Sequence, residues 1–324
     1  MIGSMHANGH SMVASLVFAV AAHAAIAQTR SPRIALVIPG PSDCVIDGLT
    51  RPAMLESDID PASVSQFCYS ELNDVPRLMQ RVVAARPNVL LIFASAAVVR
   101  AARQANPTMP IVFADVPDPV KEGLAQSLAR PGMNMTGIVN NSDVLLGKRV
   151  EIIREALPQV ARLAVLGNLD NEGQRNYLRT VQEAARVLQI QPTVYEVRSR
   201  QQLAPTFAAM ERDRMQAVLL MPDAWFFPHR VEVVALAATH RIPLVSGNVA
   251  YAELGGLLTY GANLSVMAKA AWGYVHKILD GTNAGDLPAT QPLEFDYILN
   301  LKTARELGVN ISPLSTMRAT RVIE

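Results

Sequence analysis

Ser95 follows an apolar run and opens an alanine-rich stretch, and Asp223 follows a second apolar run. A serine at a helix start presents its hydroxyl and the free amides of Ala96 and Ala97. Such an end suits a carboxylate, with a dipole contribution of about 0.3–1 kcal/mol. Asp223 could hold an ammonium through a charge-assisted hydrogen bond of about 1.5–3 kcal/mol. Both residues are also ordinary helix-capping types, so capping is the competing role for each. As binding residues they would read an α-amino acid from its two ends. Asp118, set before Pro119, has the type and spacing of a structural cap. Trp225, Phe226 and Phe227 could stack on an aromatic ligand, and Trp225 is the one singled out, since two of three such residues usually serve the core.

Covalent and metal chemistry find little support in the residues. Beyond residue 27 the histidines are His229, His240 and His276, on different helical segments and without metal-ligand spacing. Nucleotide-binding glycine loops, the G-x-S-x-G elbow and H-E-x-x-H are all missing. Gly40-Pro41-Ser42 comes nearest to an elbow, but Pro41 spoils its turn. No catalytic residue, metal or cofactor is expected. A formal net charge of +1 argues against a nucleic-acid partner, which would call for a clustered basic excess.

These residues need elements to position them, and the chain has material for two cores. Its 324 residues suit two lobes of roughly 100–150 each, and with 50% hydrophobic against 18% charged residues both can be packed. Residues 1–27 read as a secretory signal peptide: an apolar run from Met12 leads to Ala25-Ile26-Ala27, an A-x-A site before Gln28. That run is short for a membrane span, and no cysteine stands at the cleavage position to carry a lipid. Cys44 and Cys68 fall in the mature part, at what would be the same edge of a parallel sheet. An oxidising compartment permits a disulfide between them; two unpaired thiols are the alternative.

From Arg33 a βα unit repeats. Strands are expected at 33–38, 63–69, 88–93 and 110–114, with helices at 74–86, 96–105 and from Asp118-Pro119 onward. The rhythm breaks at Pro131-Gly132 and 134–138, read as the first crossing between lobes. It restarts with strands at 163–167, 193–197, 217–221 and 242–246 and helices near 142–157, 172–189, 201–212 and 226–240. A glycine-rich segment after Asn248 and the Gly281–Pro292 segment read as second and third crossings. The expectation is an α/β fold of two doubly wound, Rossmann-like lobes joined by a hinge of three parallel strands. Residues 28–137 and 252–284 would form the N-terminal lobe, and 138–251 and 285–324 the C-terminal lobe. Ligands of open α/β sheets sit beyond the carboxyl ends of the strands. That rule selects Ser42, Asp43, Ser95, Ala96, Asp115 and Asp118 on one wall of a cleft, and Asn168, Asp170, Asp223, Trp225 and Asn248 on the other.

Four ordered blocks carry a resemblance. They are Ile111-Val-Phe-Ala-Asp-Val-Pro-Asp-Pro-Val120 with Gly123-Leu124, Leu128-Ala-Arg-Pro-Gly132 and Asn134-Met-Thr-Gly137; Asp223-Ala-Trp-Phe-Phe227 with Val234-Ala-Leu-Ala-Ala-Thr-His-Arg-Ile-Pro243; Gly255-Gly-Leu-Leu-Thr-Tyr-Gly261; and Phe295-Asp-Tyr-Ile-Leu-Asn-Leu-Lys-Thr-Ala304-Arg-Glu-Leu-Gly308. The chain resembles ABC transporter substrate-binding proteins of the tryptophan/tyrosine type, over roughly residues 75–324. It departs from them between Pro41 and Glu71, a segment that is shorter here and holds both cysteines. The resemblance implies the type I periplasmic-binding-protein fold, periplasmic capture of a small solute, aromatic amino acids in some members, and a permease in the inner membrane as partner. A monomer is expected. Two rivals stay open: a binding protein presenting its closed form to a membrane receptor or sensor kinase, and an enzyme of similar layered fold. A repressor is disfavoured because the chain starts with a signal peptide and no helix-turn-helix precedes Arg33.

Overall fold

In this computed structural model the described residues are 32–40, 50–140, 142–169 and 172–324. The expected signal peptide, Ser42, Asp43, Cys44 and Asp170 lie outside them. The continuous apolar runs become strands buried on both faces. Ile34–Pro39 (β1), Val64–Tyr69 (β2), Val89–Phe93 (β3), Ile111–Val116 (β4) and Met135–Val139 (β5) form a parallel sheet in the order β2-β1-β3-β4-β5. Alternate side chains point to opposite faces, so each run feeds two cores. Ala35, Val37, Leu90, Ile92 and Phe113 pack under helices Val75–Ala84 (α2) and Ala96–Ala105 (α3). Ile34, Leu36, Leu91 and Val112 face Met54 of the short helix Thr50–Leu55 (α1) and a later helix described below.

The second sheet has seven strands: Arg162–Gly167 (β6), Gln191–Glu196 (β7), Ala217–Leu220 (β8), Leu244–Ser246 (β9), Leu258–Ala262 (β10), Phe295–Asn300 (β11) and Arg321–Ile323 (β12), in the order β12-β11-β10-β9-β8-β6-β7. Helices Ser142–Ala156 (α4) and Glu172–Val187 (α5) cover one face through Leu146, Val150, Ile153 and Val181 against Leu163, Val165 and Leu219. Leu203–Arg212 (α6) and Arg230–Thr239 (α7) cover the other, with Phe207 and Val233 against Ala164, Leu166 and Val218. Val249–Glu253 (α8) adds Tyr251 to that core. Both sheets belong to one packed unit, Arg33–Glu324.

The chain passes between the sheets three times, at places that differ from the sequence expectation. Residues 134–138, expected as a crossing, are mostly β5. Gly137 makes that strand possible, since a Cβ there would stand 2.0 Å from the Phe113 carbonyl oxygen. The first crossing therefore follows Val139. The second lies at Ala262–Leu264, not at 252, because β10 is zipped between β9 and β11. Leu264–Leu279 (α9) then returns to the first sheet, where Met267, Ala271, Trp272 and Val275 meet Leu36, Leu91 and Val112. Residues 285–290, expected with the second lobe, stay on the first sheet's edge. Gly132 N donates to the Gly285 carbonyl, Thr136 Oγ1 to that of Leu287, and Ile138 bridges Thr290 in parallel. The third crossing is thus 291–294. β10 and β11, which flank the second and third crossings, pair antiparallel and not parallel as expected. Asn263 ties the second and third crossings together, its amide N donating to the Glu294 carbonyl and its Nδ2 to Asp296 Oδ1 at 3.0 Å. Leu301–Leu307 (α10) and Pro313–Arg318 (α11) complete the chain around β12. Among the described residues no helix is long and apolar enough to cross a membrane.

One expected helix is absent. Asp118-Pro119 opens a turn in which Glu122 N donates to the Asp118 carbonyl and Leu124 N to that of Pro119. Gly123 stops it by taking φ +66, outside helical space.

Candidate functional site

The carboxyl edge of the first sheet carries Tyr69, Ser95, Asp115 and Asn140, from β2, β3, β4 and β5 respectively. That of the second carries Asn168, Asp223 and Asn248, from β6, β8 and β9. Parallel register aligns these ends within each sheet: Pro39 pairs with Tyr69, Phe93 with Ala114, and Val116 with Val139.

Asp115 sits in a β-bulge, where the register between β4 and β5 slips between Ala114 and Val116, and it takes φ +70. Bulges re-aim a side chain, and aspartate tolerates the left-handed region better than most residues. Buried Asn140 holds it there. Its Nδ2 donates to Asp115 Oδ1 at 2.7 Å and to the Asp115 carbonyl at 3.0 Å, while its Oδ1 accepts from Ser142 N and Oγ. Solvent reaches Asp115, yet protein crowds around it. Loss of bulk hydration pushes its carboxyl above the usual range, and the Asn140 bond and the Arg149 charge only partly oppose that.

Ser95 precedes α3 with an extended backbone but does not cap it, and its Oγ is buried without a partner. Ala96, the first residue of α3, is buried beside it. Tyr69 is buried with an unpartnered hydroxyl. Burial raises its phenol first, and the charges of Asp223 and Asp115 raise it further. Tyr69 is therefore within electrostatic reach of carboxylates on both sheets.

On the opposite wall, Asp223 accepts from Trp225 N at 2.9 Å and caps the turn Ala224–Phe226. Gln174, buried in α5, donates through Nε2 to the Pro222 carbonyl and holds the peptide ahead of Asp223. Tyr251, also buried, has its phenol raised by burial; Arg230 opposes that shift and Asp223 adds to it. Asn248 caps α8 through Ala250 N at 3.0 Å. Asn168 is half-buried after β6.

Two expected residues have other engagements. Asp118 accepts from Val120 N and Lys121 N and pairs with Lys121 Nζ at 3.0 Å. Partial burial raises its carboxyl, but Lys121 and the Val120 amide outweigh that and hold it below the usual range. It lines a surface hollow with Pro117, Lys121 and Gln291. Trp225 is 6% exposed, with Phe226 edge-on at 5.1 Å and His229 at 4.5 Å. Its Nε1 donates to Glu71 Oε2 at 2.9 Å, from one wall to the other, and His229 Nε2 lies 3.6 Å from Glu71 Oε1. The indole is therefore a bridge across the cleft rather than a free stacking plate. Cys68, one residue before the end of β2, is in disulfide form, and Cys44, its expected partner, lies outside the described residues. Among the described residues no cluster of three metal-ligating side chains exists.

Sequence reasoning missed Tyr69, Glu71, Asn140, Arg149 and Tyr251. The strand-end rule that found Ser95 would also have found Asn140 had β5 been recognised. Arg149 had a signal as well: a cation at helical spacing with Leu146 and Ile153, two buried apolar residues of α4.

Comparison with known proteins agrees with this architecture. A family model described as ABC transporter substrate binding protein matches residues 41–323. A tyrosine-binding protein of Clostridioides difficile is 23% identical over 211 residues, 65% of this chain and 60% of that relative, so less than two thirds of its length is matched. A conserved domain protein from Vibrio cholerae superposes with a TM-score of 0.79 at 21% identity, covering 90% of this chain and 100% of that one. The ABC domain in complex with L-Trp from Streptococcus pneumonia gives 0.77 at 20%, with the same coverage. The fold is that of type I periplasmic binding proteins.

Proposed function

Since the chain belongs to the ABC transporter substrate binding protein family, we propose that it is the extracytoplasmic solute-binding component of an importer and does no chemistry on its ligand. The ligand is a small α-amino acid, with aromatic ones favoured: one relative is a tyrosine-binding protein and one structural neighbour holds L-Trp. In this reading residues 1–27 direct export, the mature monomer works in the periplasm, and an inner-membrane permease receives the ligand.

The observation that supports it is convergence. Tyr69 of the first sheet lies within the fields of Asp115 on its own wall and Asp223 on the other. Ser95 Oγ and the Ala96 amide offer uncharged donors on the first wall, and Asp223 offers an acceptor for an ammonium on the second. A ligand touching both walls binds the closed arrangement better than an open one and so shifts the population toward closure, with the crossings near Val139, Asn263 and Gln291 as the hinge. A micromolar ligand would be held by about −8 kcal/mol in total.

Calorimetry of the purified protein against L-tyrosine, L-tryptophan and the other amino acids tests this reading. Asp223→Ala should abolish the binding heat while circular dichroism stays native, since the lost cap costs only about 1 kcal/mol. Unchanged affinity in that variant removes Asp223 from the site. Silence toward every amino acid overturns the ligand class, and chemical turnover of a bound ligand overturns the non-enzymatic reading.

A further inference from the structure

Arg149 is a charge that the fold does not account for. It projects from α4 among Leu146, Val150 and Ile153 and is 3% exposed. Its Nε donates to the Tyr260 carbonyl at 2.6 Å, but Nη1 is buried with no hydrogen-bond partner. Burying a guanidinium is costly unless its donors are satisfied. The surrounding backbone is nevertheless shaped to admit it. A Cβ on Gly247, just after β9, would stand 2.1 Å from Arg149 Nη2, and a Cβ on Gly261 of β10 would stand 1.9 Å from the Gly247 carbonyl oxygen. Two adjacent strand ends thus meet through glycines and leave a slot that the guanidinium fills. The slot lies at the carboxyl edge of the second sheet, and the charge of Asp115 on the first sheet is felt there. Asp115 does not satisfy Nη1; its Oδ1 is taken by Asn140 at 2.7 Å.

We infer that Arg149 receives the ligand's carboxylate, leaving Asp115 and Asp223 to face its ammonium. The inference rests on reading the cleft as an amino-acid site and deepens it by assigning the anionic end. A desolvated guanidinium with an idle Nη1 is a full charge with directed donors, suited to a planar carboxylate. The N terminus of α3 offers only about half a charge, so Ser95 and Ala96 become neutral neighbours of the ligand. Burial lowers the Arg149 pKa to about 10, with Tyr177, Asp115 and Tyr260 opposing, so the cation persists at neutral pH. An amine of the same side chain without a carboxylate would leave Arg149 unpaired in a closed cleft.

The test is calorimetry on the full chain with two ligand pairs, L-tyrosine against tyramine and L-tryptophan against tryptamine. The wild type should prefer the amino acid by on the order of 30-fold or more. Arg149→Gln should lose most of that preference, and Arg149→Lys should keep part of it. A purely structural arginine would weaken both members of a pair by one factor, and an unchanged ratio in the variants overturns the inference. A wild type that binds tyramine as well as tyrosine overturns it too, even if Arg149→Gln fails to fold. Binding of no member of either pair overturns the aromatic amino-acid reading on which the inference rests, a result separable from a ratio that fails to move.

Discussion

Glu71→Ala should weaken ligand binding about fivefold without destabilising either sheet. Glu71 follows β2 on one wall, Trp225 follows β8 on the other, and the 2.9 Å bond from the indole Nε1 to Glu71 Oε2 joins them. A hydrogen bond to a charged group contributes about 1.5–3 kcal/mol. Glu71 keeps 49% of its side chain exposed, so solvent screening leaves about 1 kcal/mol. His229 adds no hydrogen bond from Nε2. In an open form water would satisfy both partners, so the loss falls on the open–closed balance. If only the closed form holds the ligand, about 1 kcal/mol raises Kd roughly fivefold. Calorimetry with L-tyrosine or L-tryptophan reads the Kd, and a melt of the ligand-free protein reads stability. Glu71→Gln keeps an acceptor and should fall between wild type and alanine. An unchanged Kd together with a lowered ligand-free Tm would refute the reasoning, because the bond would then serve folding and not closure.

Asp115→Asn should raise the ligand-free Tm at pH 7. Crowding is the largest influence on Asp115 and lifts its carboxyl above the unfolded value, so its ionised form carries a cost above the folded pKa and none below the ordinary carboxylate range. Asparagine keeps an oxygen for Asn140 and tolerates φ +70. The Tm gap should therefore close as pH falls through that window, and a constant gap across a pH series would contradict it. Asp118→Ala should lower stability by about 1 kcal/mol in a denaturant titration, since two backbone amides lose their acceptor, and leave ligand affinity within about twofold. A large loss of affinity would return Asp118 to the site.

Much of the architecture was legible because burial on both faces leaves a mark in one dimension. Continuous apolar runs such as 34–38 and 89–93 announced strands of a covered parallel sheet, and apolar spacing announced α2, with its buried face of Val75, Leu78, Met79 and Val82. The strand-end rule then pointed to Ser95, Asp115 and Asp223 from local order alone. What failed was long-range. β5 was mistaken for a linker because Gly137 reads locally as a breaker, and only Phe113 shows that it permits close approach. The expected helix after Pro119 was lost to Gly123, whose positive φ is a turn requirement that composition does not record.

Chain order alone determined that two βα arrays would be built and which strand ends could face a solute. That follows from periodicity, a property of neighbours in sequence. Only the folded chain decided where the crossings lie, that Trp225 is engaged by Glu71, and that Arg149 is buried with Nη1 idle. Those facts depend on contacts between residues more than 100 positions apart, as in the Arg149–Tyr260 and Glu71–Trp225 bonds, and such pairings exist only once the chain has folded.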